Sequence, residues 1–128
     1  MSVEYRLVPT GIHPAPYFPI TLSPVAGVGR ADTIGLFDTG ADRSVIPYSL
    51  AAELDLFQMD TVCFEGLDGF QVELPIFQLM LAIGSFPGEF IEAAASEQEE
   101  MTLIGRDIMK TFRITLDGPA GVVRLEQE

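Results

Sequence analysis

The chain is poor in basic charge and has one cysteine, one histidine and no tryptophan among its 128 residues. Each shortage narrows the range of functions. Seven Lys and Arg stand against nineteen Asp and Glu, a formal net charge of -12. Nucleic-acid binding rests on cations that neutralise phosphates, so a nucleic-acid partner is not expected. Cys63 has no second cysteine to pair with inside the chain, which fits a reducing compartment. It lies in an apolar alternating stretch, and His13 lies among prolines. The expectation is therefore a buried strand residue, not a catalytic thiol. No metal site and no cofactor are expected. No apolar run approaches the roughly 18 residues a membrane helix needs. The start, Met1-Ser2-Val3-Glu4-Tyr5-Arg6, lacks the basic-then-apolar order of a secretory signal. A soluble, cytoplasmic protein without a membrane partner is the expectation.

What is present is an apolar chain, 48% hydrophobic, punctuated evenly by 12 Gly and 9 Pro. Its length suits one domain over 1–128, since domains most often run to about 100–150 residues. Short runs of Val, Ile, Phe, Leu and Thr between the breakers predict an all-β fold of many short strands. The alternation places strands near 3–8, 18–25, 31–37, 60–65, 71–83, 89–94, 112–116 and 122–125. Helices are predicted over 48–56, after Pro47, and over 105–112, where Ile108, Met109 and Phe112 fall at helical spacing. Residues 96–100 read as a solvated acidic turn. Gly27-Val28-Gly29-Arg30 lacks a third glycine and a following helix, and reads as a turn, not a nucleotide loop.

The segment Gly35-Leu36-Phe37-Asp38-Thr39-Gly40-Ala41-Asp42-Arg43-Ser44 delivers an aspartate from an apolar strand into a tight turn. A carboxylate held at the end of a buried strand is rigid and partly desolvated, which disfavours its charged form. Gly40 is expected to let the backbone turn and another chain approach. Alone, the triplet decides nothing: Asp-Thr/Ser-Gly arises by chance in about one chain of this length in twenty, and it is a common turn. The apolar lead-in, the Ala-Asp-x-Ser that follows and a second element, Leu103-Ile104-Gly105-Arg106-Asp107-Ile108-Met109, make it specific.

With both elements in order, the sequence resembles the retropepsin-like aspartic peptidases, the retroviral proteases and their cellular and bacterial relatives. Asp38–Asp42 match that family's Asp-Thr-Gly-Ala-Asp, and Ile104–Arg106 its late apolar-Gly-Arg segment; the resemblance spans about residues 18–112. It implies a closed retropepsin-like β-barrel with one or two short helices and an aspartic endopeptidase activity. Glu65-Gly66-Leu67-Asp68-Gly69-Phe70, read from the residues alone, is a glycine-bracketed hairpin tip. The resemblance makes Gly66, Leu67, Asp68, Gly69 and Phe70 a flap that closes over substrate. It also implies that Asp38 is catalytic, that Thr39 braces two active-site loops, and that the Gly40 backbone bonds substrate. Ala41 shares the turn, and Asp42 pairs with Arg106 beneath the site.

Water attack on a peptide needs a carboxylate and a carboxylic acid together. This chain holds one Asp-Thr-Gly and no Asp-Ser-Gly, and it is too short for two lobes. A catalytic site therefore implies a homodimer through the active-site face, acting on a peptide or protein substrate. The other reading is a non-catalytic retropepsin-like module that dimerises or binds peptides, because fold does not dictate function. Residues 115–125 continue beyond the last helix as an extra turn and strand. In the viral enzymes the chain ends interlock in a dimer sheet, so the ends are the place where this chain departs from the pattern.

Overall fold

The computed structural model describes residues 1–65 and 68–128; Gly66 and Leu67, two of the residues expected at the hairpin tip, lie outside that set. In chain order the elements are β1 (Ser2–Arg6), β2 (Tyr17–Ser23), β3 (Ala31–Phe37), β4 (Val45–Pro47), α1 (Tyr48–Glu53) and β5 (Phe57–Glu65). They continue with β6 (Gln71–Ile83), β7 (Glu89–Ser96), β8 (Thr102–Ile104), α2 (Arg106–Met109), β9 (Arg113–Asp117) and β10 (Val122–Glu126).

Period-two burial builds the larger sheet. Phe18, Ile20 and Leu22 of β2 point inward, as do Leu79, Leu81 and Ile83 of β6 and Ile91, Ala93 and Ala95 of β7. The strands run in the order β2-β3-β8-β4-β7-β6-β5, and β2 also pairs with β6, from Ile20↔Ile83 to Ser23↔Met80. That extra ladder closes a six-stranded ring, the barrel that the resemblance implies. Its interior is filled by one cluster that includes Phe18, Leu22, Ile46, Leu81 and Ile104, each at most 1% exposed. Burying each such side chain is worth about 1.5–3 kcal/mol. β5 hangs outside the ring as a long antiparallel hairpin on β6, paired from Phe57↔Gln78 to Glu65↔Gln71 with one shift of register between Gln58 and Asp60.

The two three-residue strands, β4 and β8, are the ones the sequence reading did not place. They lie parallel to distant partners, β4 to β7 and β8 to β3. Cys63 lies on a strand, as expected, but it is exposed. On the free edge strand β5 it is Val62 and Phe64 that turn inward, and the alternation sends Cys63 outward.

Both helices are shorter than predicted. α1 has no side-chain cap and ends where Asp55 takes φ +49°, a left-handed backbone that halts the helix. α2 keeps four residues, after which Phe112 N–H reaches only to the Met109 carbonyl, three positions back, at 3.0 Å.

A second, three-stranded antiparallel sheet runs β1-β10-β9. Val123 and Leu125 of β10 are 1% and 0% exposed and belong to the barrel core. The extra strand predicted after the last helix is therefore present, and it ties the chain's beginning to its own end, Ser2↔Glu126 through Arg6↔Val122.

Candidate active site

β3 carries its apolar residues to Phe37, whose N–H donates to the Pro16 carbonyl at 3.1 Å. The next residue, Asp38, donates its N–H to the Ile104 carbonyl at 3.0 Å, so the end of β3 is stitched to the end of β8. The chain then turns sharply: Ala41 N–H donates to the Asp38 carbonyl at 3.1 Å, and Gly40 N–H donates to Asp38 Oδ1 at 3.0 Å. Among the described residues only Oδ1 of this carboxylate has a hydrogen-bond partner, which leaves Oδ2 available. Gly40 does not have positive φ. The turn wants glycine for a different reason: a Cβ there would sit 3.2 Å from Asp38 Oδ1.

The second motif locks the turn from beneath. Arg106 N–H donates to the Ala41 carbonyl at 2.9 Å, and Arg106 Nη1 donates to the Thr39 carbonyl at 2.7 Å. The Asp42–Arg106 ion pair implied by the resemblance is not formed among the described residues: the guanidinium is committed to a backbone oxygen, and Asp42 is exposed. A different acid takes the supporting role. Asp107 accepts from Ser44 Oγ at 2.7 Å and from Ser44 N–H at 3.0 Å, and its Oδ1 also accepts from Ile108 N–H at 2.9 Å. Ser44, fully buried, in turn accepts from Gly105 N–H at 3.0 Å. Gly105 is where the two backbones cross. A Cβ on it would meet the Arg43 carbonyl carbon at 2.7 Å and the Ala41 oxygen at 2.9 Å. Ser44 and Asp107 were missed as site residues in the sequence, although both lie inside the motifs: Ser44 ends Ala-Asp-x-Ser, and Asp107 follows Gly-Arg.

Asp38, half-buried, and Thr39, exposed, sit at a depression of about 510 Å³ whose other walls are apolar, from Pro16, Phe37, Met109, Ile114 and Leu116. A larger depression, about 720 Å³, lies between the chain ends and does not include this turn. Of the predicted flap residues, Asp68, Gly69 and Phe70 form an exposed turn in which Asp68 Oδ1 accepts from Phe70 N–H at 3.0 Å. Gly69 takes φ +82° there, a left-handed backbone natural to glycine. Hydrogen bonds from Arg30 and then Thr21 hold the Asp32 carboxyl below its ordinary range, and burial raises the Tyr5 phenol.

The whole chain superposes on the crystal structure of a retropepsin-like aspartic protease from Rickettsia conorii with a TM-score of 0.67. The superposition covers 98% of this chain and 90% of that one at 17% identity. The fold is retropepsin-like. EIAV protease, solved in complex with the inhibitor HBY-793, matches with a TM-score of 0.59 over 80% of this chain and 92% of its own, at 19% identity. No family model matches the sequence, and no curated protein matches it. Within the retropepsin-like barrel, then, the Asp-Thr-Gly turn and the Gly-Arg element are brought together as their order in the sequence implied.

Proposed function

We propose that the chain is an aspartic endopeptidase that acts as a two-fold homodimer, each copy supplying one Asp38. The observation that carries this reading is the state of that carboxylate. It follows the barrel strand β3, its backbone is tied to Ile104, one oxygen is held by Gly40, and the other is free at the mouth of an apolar depression. Such fixed geometry is what a positioned acid–base group requires.

A lone carboxylate does half of the chemistry. Two brought close together share one proton, because both cannot be ionised at that separation. The ionised Asp38 then takes a proton from a trapped water as the water attacks the scissile carbonyl carbon. The protonated one gives its proton to the carbonyl oxygen. When the tetrahedral intermediate collapses, the first carboxyl, now protonated, passes its proton to the departing amine. The second takes back a proton from one hydroxyl of the intermediate, which restores the singly protonated pair and leaves the new carboxyl group. Thr39 braces the paired turns. Gly40 N–H is already engaged with Asp38, so its carbonyl remains to bond the substrate main chain. The β5–β6 hairpin, with Asp68, Gly69 and Phe70 near its tip, closes over the peptide and excludes water. The apolar walls favour substrates with apolar side chains beside the cleaved bond.

Asp38→Asn keeps the shape and removes the proton exchange. Cleavage of an unfolded protein or extended peptide is expected to disappear in that variant while the fold, followed by circular dichroism, persists. Undiminished cleavage would reject the assignment. Activity should also be confined between the two macroscopic pKa values of the dyad and fade above the higher one. A rate that stays flat from neutral into alkaline pH would contradict the shared proton.

A further inference from the structure

Resting on the two-chain reading of Asp38, we propose that the second copy docks on the β9 side of the terminal sheet, with Leu116 as the apolar anchor beside Asp38. The inner face of that sheet carries Val123 and Leu125 from β10 and Ile114 and Leu116 from β9, paired Val123↔Leu116 and Leu125↔Ile114. Burial falls off across it. Leu125 and Val123 are sealed in the barrel, Ile114 is half-buried, and Leu116 is 62% exposed. The sheet thus overhangs the barrel at β9, and the overhanging leucine lines the same depression as Asp38 and Thr39.

Three features select a copy of this chain as the occupant. A partner that brings its own Asp38 within hydrogen-bonding reach of this one must cover the rim of that depression, and Leu116 is on the rim. β1 and β9 are the two outer strands of this sheet and both pair with the chain's own β10, but of the two only β9 lines the depression, so its open edge is the one beside Asp38. Two copies therefore meet without exchanging their ends. Charge agrees as well. Every Lys and Arg lies before Ser44 or after Gly105, so the intervening region carries acids only. The terminal sheet is balanced, with Arg6, Arg113 and Arg124 against Glu4, Asp117 and Glu126. It is the part of a chain of charge -12 that least repels a second copy.

The test is sedimentation equilibrium of the full chain with Leu116→Asp and Leu116→Ala, alongside peptide cleavage and circular dichroism. Each substitution acts twice across a two-fold. The dimer dissociation constant is expected to rise roughly 100-fold or more for Leu116→Asp and by a smaller factor for Leu116→Ala. Cleavage should fall in step and recover as concentration is raised. Leu116 is exposed in the single chain, so the fold should survive; if Leu116→Asp does not fold, the Leu116→Ala shift decides alone. Unchanged dimerisation in a folded variant overturns the inference and leaves the Asp38 dyad intact. A raised KM with an unaltered dissociation constant does the same, because it makes the depression a substrate subsite. A wild-type chain monomeric at every concentration overturns both this docking face and the two-chain reading.

Discussion

At Asp107 one carboxylate serves three donors: the hydroxyl and N–H of Ser44 and the N–H of Ile108. The buried ends of this network have no water to turn to if the acid is removed, so Asp107→Ala leaves unsatisfied groups that cost about 1–3 kcal/mol. We expect urea unfolding to show a loss of that size, with cleavage falling further than stability alone explains because the turn bearing Asp38 loosens. A variant with unchanged midpoint and rate would show the network to be idle. Gly105→Ala is the harsher change at this scale. A Cβ 2.7 Å from the Arg43 carbonyl carbon cannot be accommodated by rotating a side chain, so the crossing backbones must part. Overpacking of that kind typically costs about 1–3 kcal/mol, occasionally more, and unfolding in urea will measure it. The sequence displayed Asp38 through its apolar lead-in and its turn. It concealed the partner of Arg106, because a guanidinium flanked by several acceptors takes whichever the fold brings into reach, here the Thr39 carbonyl and not Asp42.

Among the elements, the terminal sheet depends on Tyr5. Its ring meets Phe18 edge-on at 5.0 Å, which fastens β1 to the barrel. Burial raises its phenol above the ordinary value, so the folded chain favours the neutral ring. The stability this contributes is fully present below the unfolded pKa, near 10, and is lost as pH rises through the higher folded value. Protection factors of β1 and β10, corrected for base-catalysed intrinsic exchange, should therefore fall more steeply at strongly alkaline pH in the wild type than in Tyr5→Phe; an identical fall in both proteins would refute it. The bounds of β3 and β6 were legible to the residue, because runs rich in apolar and β-forming residues between turn residues specify a strand. β4 and β8 were not. Three residues carry too little periodicity, and what makes them strands is pairing with β7 and β3 far along the chain. Cys63 shows the same limit in miniature, since an edge strand buries one face and the composition of the run does not say which.

The molecule as a whole carries a charge of -12, and the proposed dimer would form against that repulsion. Added salt shortens the screening length from about 30 Å at 0.01 M to about 8 Å at 0.15 M. Dimer association is expected to tighten over that interval, as sedimentation would record; weakening by salt would mean that the interface rests on opposite charges instead. The all-β character was legible in the breaker spacing and the closed barrel came from the resemblance, whereas the self-contained terminal sheet was not predictable, because no periodicity tells whose β10 a β1 will join. Mixing wild type with Asp38→Asn tests most directly whether one site is made by two chains. If each site needs two intact carboxylates, a tenfold excess of the variant, exchanged to equilibrium, should lower cleavage per wild-type chain about tenfold, because most wild-type subunits then sit beside a dead partner. Cleavage that simply follows the amount of wild-type chain, indifferent to the added variant, would contradict it.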